Sequence, residues 1–320
     1  MRYFITGGAG FIGSNFVDLI LGSSDSQSAQ VTVFDKLTYA GNLRNLSQWD
    51  NDARLNIIIG DICDRTLLAE SMINHDVVVN FAAESHVDRS INSADIFIQT
   101  NVVGTLNVLE SARENGIRTV IQASTDEVYG SLSEGSATEE FPLLPNSPYA
   151  ASKAAADLIS RSFYKTYGLD VRITRCCNNF GKYQFPEKVI PLFITRCLNH
   201  EDLPVYGDGS NVREWIYVDD HCQRILDVIK YGKAGEIYNI GTNDSCSNLE
   251  LIKRIFDVMS QSDSKIKYVP DRLGHDFRYS LDKSKINSIF NRNMKKMTES
   301  LANTIDWYSK NRDHFDYFEK

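Results

Sequence analysis

Thr6-Gly7-Gly8-Ala9-Gly10-Phe11-Ile12-Gly13 closes the first apolar run of the chain and opens its first helical stretch, with glycines at 7, 10 and 13. A Gly-x-x-Gly-x-x-Gly turn lets the backbone bend tightly and approach a ligand closely. The helix that follows then offers amide donors and a partial positive charge to a pyrophosphate. Such a turn is nonspecific by itself. Its place directly after a strand, with Asp35 ending the next apolar run, makes it the phosphate turn of a dinucleotide-binding fold. Asp35 can accept hydrogen bonds from the adenosine ribose hydroxyls and repel a 2′-phosphate, which favours NAD over NADP. Lys36 beside it weakens that preference slightly. Asp61-Ile62 can flank an adenine, and Ala82-Ala83-Glu84-Ser85 can run beneath the nicotinamide side; taken separately, each is an ordinary loop.

Outward from that turn, short apolar runs alternate with longer amphipathic stretches through about residue 175. This is the rhythm of strand-helix units that build a parallel sheet, so the fold class expected is α/β, Rossmann-type and doubly wound. Strands are expected at residues 3–6, 30–34, 55–59, 77–81, 119–123 and 171–175, with helices at 101–115 and 148–167. Beyond Gly181 the rhythm changes. Pro186, Pro191, Pro204 and the turn Gly207-Asp-Gly-Ser210 point to loops and short elements of a smaller substrate lobe, with helices at 249–259 and 300–308. Residues 1–180 are thus expected to hold the cofactor and the catalytic groups, and 181–320 mainly the substrate, with a possible return of the chain to the first domain. Residues 291–298 read as a solvated connection.

With 42 acidic against 34 basic residues the net charge is −8, which disfavours a general nucleic-acid or anionic-membrane binder and leaves a small-molecule partner. The longest apolar runs fall far short of a membrane span, and the N-terminus enters a strand-and-turn pattern, so a cytoplasmic address is expected. The six cysteines form no Cys-x-x-Cys pair and read as reduced thiols. Cys176-Cys177 invites a nucleophile or metal reading, but no His or carboxylate stands at ligand spacing, and buried strand residues beside a pocket is the better account. No metal site is expected. His86 and His275, as lone residues, read first as hydrogen-bonded structural groups.

Tyr149 and Lys153 lie one helical turn apart, so both face the same way, and the ammonium is expected to lower the phenol's pKa and make it a base near neutral pH. Upstream, Ser124-Thr125 runs into Asp126-Glu127. Two carboxylates beside a hydride-transfer pair suggest dehydration in addition to oxidation.

Four stretches, Asp35-Lys-Leu-Thr-Tyr-Ala-Gly-Asn42, Ala82-Ala-Glu-Ser-His-Val-Asp-Arg-Ser-Ile91, Ser124-Thr-Asp-Glu-Val-Tyr-Gly130 and Ser147-Pro-Tyr-Ala-Ala-Ser-Lys153, resemble the extended short-chain dehydrogenase/reductases. Within them the chain is similar to the dTDP-glucose 4,6-dehydratases. Arg175-Cys-Cys-Asn-Asn-Phe-Gly181, Tyr183-Gln-Phe-Pro-Glu-Lys188, Gly207-Asp-Gly-Ser-Asn-Val-Arg-Glu-Trp215 and Asp271-Arg-Leu-Gly-His-Asp276 extend the likeness over about residues 1–285. Sister 4-epimerases usually carry small residues where Asp126-Glu127 stand, and related decarboxylases and GDP-mannose dehydratases typically have Ser at the first position. Lys182, Leu273 and Phe277 depart from the family's Pro, Pro and Arg, and its Leu-Gly-Trp-x-Pro segment is unrecognisable near residues 289–297.

The resemblance implies catalysis by Thr125, Asp126, Glu127, Tyr149 and Lys153. It implies an NAD site of Gly7, Gly10, Phe11, Ile12, Gly13, Asp35, Lys36, Leu37, Thr38, Asp61, Ile62, Phe81, Ala82, Ala83, Ser85, Thr100, Tyr149, Lys153 and Asn179. For the sugar nucleotide it implies Ser85, Thr125, Asn178, Lys188, Val189, Pro204, Tyr206, Arg213, Asn248, Arg272 and His275. A homodimer joined through a four-helix interface is implied as well, built from the helices at 101–115 and 151–167. Rival readings are a sugar-nucleotide 4-epimerase or decarboxylase, and a noncatalytic NAD-sensing protein on the same fold. Thymidine against uridine stays open.

Overall fold

The structure is a computed structural model and describes residues 1–260, 264–290 and 292–318, the last three by their backbone. Its strands are β1 (Arg2–Thr6), β2 (Gln30–Asp35), β3 (Leu55–Ile59), β4 (Val77–Asn80), β5 (Thr119–Thr125), β6 (Val171–Cys176), β7 (Asn178–Phe180), β8 (Leu203–Tyr206), β9 (Val212–Tyr217), β10 (Ile237–Ile240), β11 (Ser245–Ser247) and β12 (Ile266–Val269). Seven of them form one sheet in the order β10-β6-β5-β4-β1-β2-β3. Every pairing in it is parallel. This is the Rossmann-like α/β arrangement expected, and the expected strands fall within one or two residues of the observed ones.

Helices cover both faces of that sheet, so its strands are buried runs without polar alternation. Tyr3 and Ile5 of β1 join a core with Phe16, Val33 and Val79, while Phe4 between them joins a second core with Phe34, Val78 and Val120. The helix that carries Tyr149 and Lys153 spans Pro148–Tyr167 as the sequence predicts. Ser147 caps it by accepting from the Ala150 amide at 3.1 Å, proline occupies its first turn, and Gly168 ends it at φ 70°. The expected helix from 101 to 115 is two pieces: a π-helical turn, Ile98–Gly104, runs into an α-helix, Thr105–Glu114.

Past residue 181 the chain is more regular than its prolines suggest. Helix Val189–Leu198 and helix Asn248–Met259 pack with Met297–Lys310 around Phe193, Trp215, Leu251 and Leu301, a third core beneath a three-stranded sheet β11-β9-β7 and a parallel pair β12-β8. Helix Val218–Tyr231 instead leaves this lobe. Its residues Val218, Cys222, Ile225 and Ile229 recur at helical spacing and bury themselves in the first core, delivering β10 to the edge of the large sheet. Loops were expected there; the proline-poor amphipathic period decides otherwise. Of the expected connection at 291–298, Asn291 lies outside the described residues, and the following helix begins at Met297, so the connection is shorter than expected.

Candidate active site

All strands of the large sheet point the same way, so the residues that follow β1 to β6 gather along one edge, where α/β sheets bind their ligands. There a cavity of about 350 Å³ opens, lined by residues drawn from between Gly7 and Lys188. The turn after β1 forms its floor. Gly7 sits at φ 67°, and a Cβ there would meet the Ala82 amide nitrogen at 2.6 Å; one on Gly13 would lie 2.2 Å from the Gly7 carbonyl. Only glycine fits these positions, and the close backbone they permit is a cradle for a phosphate group. Asp35, buried, accepts from the amides of Ala9 at 2.9 Å and Leu37 at 2.8 Å. Those two bonds hold the turn and the loop after β2 together, and a carboxylate has lone pairs left for ribose hydroxyls. Lys36 pairs with Asp61 at 2.7 Å, which brings the ends of β2 and β3 to the same rim.

Thr6, Ala82 and Asn80 form the next section. Thr6 donates to Asn80 at 2.5 Å inside the sheet, which fixes the exit of β4 and the loop through Ser85. Sequence reasoning missed the residue that secures this loop. Asn101, buried in the π-helical turn, donates to the Glu84 carbonyl at 2.9 Å, accepts from the Glu84 amide at 2.8 Å and donates to Ser152 at 2.8 Å. One side chain thus ties the loop to the helix that carries Tyr149 and Lys153. Its signal was a buried amide where the helix registers shift, visible only in three dimensions.

At the end of β5, Thr125 caps a short 3₁₀ turn, Asp126–Tyr129. Its hydroxyl accepts from the Glu127 amide at 3.2 Å and donates to Asp126 at 3.2 Å. Asp126 is 3% exposed, and its second oxygen, Oδ2, has no hydrogen-bond partner among the described residues. Burial, then Glu127 and Glu214, push the Asp126 carboxyl well above the usual carboxylate range, with Arg213 opposing. Glu127 is raised too, chiefly by burial, but Arg272, Arg213 and Lys188 all pull it back. Burial thus raises both, but two anions against one cation add to it at Asp126, whereas three cations against one anion, Asp276, oppose it at Glu127. Asp126 is the member held as an acid, and the pair titrates as a unit.

Tyr149 and Lys153 both line the cavity and are buried. The electrostatics differ from those expected of them. Burial raises the Tyr149 phenol well above its ordinary value, and Glu127, Cys176 and Asp126 add to that; only Thr125 works against it. Lys153 donates to the Ala123 carbonyl at 2.7 Å, and burial lowers its own pKa. The ammonium is thus fixed against β5, and burial of the phenol outweighs any lowering by this equally buried cation.

Of the residues implied for the dinucleotide, all but Leu37 line the cavity, together with the five implied for catalysis. Leu37 sits just outside at φ 54°, its amide bonded to Asp35. For the sugar nucleotide, Ser85, Thr125, Asn178 and Lys188 are in the lining. Val189, Pro204, Tyr206, Arg213, Asn248, Arg272 and His275 are not, and stand on the lobe beyond it. Tyr206 and Arg272 approach Asp88, at 3.4 and 3.7 Å, and His275 contacts Asp271 at 2.7 Å. Arg213 gives its guanidinium to the carbonyls of Val212, Asp276 and Phe277. Pro204 is in β8, Val189 begins its helix, and Asn248 opens another. Gly41, Gln184, Phe185 and Glu187 line the cavity without having been singled out, although all four lie inside quoted stretches. Cys176 and Cys177 are buried lining residues whose thiols burial pushes up, the former to about 12, so neither is a nucleophile. No cluster of potential metal ligands occurs among the described residues.

Comparison with known proteins places this geometry. Residues 4–305 match the family model described as GDP-mannose 4,6 dehydratase. A dTDP-glucose 4,6-dehydratase of an Actinoplanes species is 49% identical over 98% of this chain and 99% of its own. The low-salt glycan biosynthesis protein Agl12 of Haloferax volcanii is 48% identical over 96% of this chain and 98% of its own. The crystal structure of DesIV, a dTDP-glucose 4,6-dehydratase of Streptomyces venezuelae with NAD bound, superposes with a TM-score of 0.96 at 51% identity and covers both chains completely. The chain belongs to the nucleotide-sugar 4,6-dehydratase family of extended short-chain dehydrogenases/reductases, in the group of the dTDP-glucose 4,6-dehydratases.

Proposed function

We propose that the protein is an NAD-dependent hydro-lyase that converts dTDP-glucose to dTDP-4-keto-6-deoxyglucose and water. The observation that carries this reading is the Asp126-Glu127 pair at the end of β5, in one cavity with Tyr149 and Lys153, with a mainly anionic setting at Asp126 and a mainly cationic one at Glu127. An epimerase needs no acid and base for C5 and C6, and an NAD sensor needs neither. The glycine cradle, Asp35 and the unpartnered Asn179 Oδ1 fit a dinucleotide laid along the strand ends. NAD, when bound there, supplies a two-electron acceptor that takes a hydride from C4 and returns it to C6.

The chain's own groups manage the protons. Tyr149 is placed to receive the O4 proton as the alcohol becomes a ketone, with the Thr125 hydroxyl beside it; the phenol must be ionised for this, and the positive charge of a bound nicotinamide would favour that form against the burial that raises it. The ketone acidifies C5–H, and Glu127, whose carboxylate form Arg272, Arg213 and Lys188 favour, takes that proton. Asp126, kept protonated by burial and by its neighbour, gives its proton to the C6 hydroxyl, which leaves as water. A proton then returns to C5. Lys188, which donates to the Ser85 carbonyl at 2.8 Å, and Arg213 and Arg272 suit the diphosphate, with Asn178, Val189, Pro204, Tyr206, Asn248 and His275 around the nucleoside. In this division residues 1–180 act on cofactor and chemistry, and 181–320 mainly on the nucleotide.

The same reading includes a homodimer. Leu106 and Leu158, on helices Thr105–Glu114 and Pro148–Tyr167, are exposed and suit a face shared with a second copy. A cytoplasmic address belongs to it as well, supported by six free thiols; no described helix is long and apolar enough to cross a membrane. The test is to incubate the purified protein with dTDP-glucose, UDP-glucose or GDP-mannose, without and then with added NAD. Formation of a 4-keto-6-deoxy sugar from dTDP-glucose alone, before NAD is added, is the expected result. Product from UDP-glucose or GDP-mannose instead, or C4 epimer without loss of water, would overturn it.

A further inference from the structure

The C-terminal segment crosses the outside of the cofactor cavity. After helix Met297–Lys310, Arg44 donates to the Asp313 carbonyl at 3.0 Å and Asn42 to the His314 carbonyl at 3.4 Å. His314 Nε2 lies 2.7 Å from Asn45 Oδ1. Asn45 is 1% exposed, and its amide nitrogen donates to the Ala9 carbonyl at 2.8 Å. Asn45 Oδ1 is therefore an acceptor, so the His314 nitrogen facing it carries the proton. Ala9 belongs to the glycine turn, and its own amide bonds Asp35. A chain of three hydrogen bonds thus runs from His314 through Asn45 and Ala9 to the ribose carboxylate.

The other side of His314 faces the opposite wall. Its ring stacks on Tyr183 at 5.7 Å and meets Trp307 edge-on at 5.0 Å. Tyr183 stands at φ 69°, a backbone region that a residue with a side chain rarely adopts, and the rings around it hold it there. The residues after it, Gln184 and Phe185, line the cavity; Phe315 packs edge-on against Phe185 at 5.7 Å, and Tyr308 donates to the Gln184 carbonyl.

We propose that His314 is a positioning residue of the dinucleotide site: it clasps the glycine turn to the 183–185 wall and so sets how slowly NAD leaves. His314 touches neither the cavity nor the reacting groups. Its loss takes the donor from Asn45 Oδ1 and the ring from between Tyr183 and Trp307, loosening the turn, which the Asn42 amide still bonds at Ala9, without altering Asp126, Glu127, Tyr149 or Lys153. This inference rests on the reading of the cavity as an NAD site.

The test loads the full-length protein with radiolabelled NAD, chases with unlabelled NAD, and follows label release from the parent, His314→Leu and His314→Gln. Gln can place an amide donor where Nε2 stands; Leu cannot. The expected result is release about tenfold faster from His314→Leu, as one buried acceptor loses its donor, with His314→Gln close to the parent. Turnover of dTDP-glucose at saturating NAD should stay within about twofold of the parent in both, marking a change in retention and not in chemistry. Equal release rates in all three proteins, equal acceleration in both variants, or a matching fall in saturated turnover would overturn the clasp. A parent that binds no NAD would overturn the reading of the cavity, and the clasp with it.

Discussion

The two ends of the cavity are made of different material. The dinucleotide end is mainly backbone: a glycine turn, strand ends and amides, all within residues 7–85 apart from Thr100, the Tyr149 helix and Asn179. The end proposed for the sugar nucleotide draws on side chains of the other lobe, with Lys188, Arg213 and Arg272, from three separate elements, all acting on the Glu127 carboxyl. Backbone sites fail by collision and side-chain sites by lost charge, so substitutions at the two ends should separate cleanly.

The largest effect is expected at the backbone end. Gly13→Ala places a methyl 2.2 Å from the Gly7 carbonyl, where neither atom can give way. A loss of about 3 kcal/mol in stability and of nearly all bound NAD should follow, read by thermal melting and by NAD released on denaturation. Retention of NAD at parent levels would mean that the turn is looser than its geometry. Next is Glu127→Gln, where turnover should fall about a thousandfold and exchange of C5 with solvent deuterium should stop, while NAD content stays at the parent level. Continued C5 exchange would remove Glu127 as the base. At the side-chain end, Arg272→Ala should raise KM for the nucleotide sugar about tenfold to a hundredfold and leave NAD content alone. Lost NAD would erase the division between the two ends.

The smallest effect concerns pH. Asp126 has a folded-state pKa raised above its unfolded value, so it favours the folded state only while both forms stay protonated, below an ordinary carboxylate pKa. That contribution is lost as pH rises through the raised value. Asp126→Asn should therefore gain stability over the parent, on the order of 1 kcal/mol, at alkaline pH and not near pH 3. A gain of equal size at both pH values would show that burial of Asp126 carries no titration cost. Parent turnover should fall over the same alkaline rise, as the acid for C6 is lost.

The contrast between the ends also explains what could be read from the residues in order. Glycine spacing, Asp35 and the buried runs of β1 to β6 are local signals, and each landed where expected because turns and strands are decided within a few residues. Tyr149 and Lys153 landed correctly for the same reason, yet their electrostatics did not: desolvation and the nearness of Glu127 and Asp126 are properties of the assembled cavity. Asn101 and His314 were passed over because their partners stand far away in sequence, at Glu84, Ser152 and Asn45. Helix Val218–Tyr231 was underrated because prolines before it suggested irregularity, whereas its own apolar spacing governs. Arg213 and Arg272 were named only through resemblance to a family; nothing local distinguishes them from surface cations.

The most direct measurement is the fate of hydrogen during turnover. The protein is given dTDP-glucose in deuterated water with no added NAD, and the product is read by NMR and mass spectrometry. Loss of water, one deuterium at C5 and none at C6 is the predicted outcome, since the C6 hydrogen comes from C4 through a cofactor that never leaves and the C5 hydrogen passes through solvent. Deuterium at C6, or turnover that retains the C6 hydroxyl, would contradict the assignment of Asp126 and Glu127 and the dehydration with it.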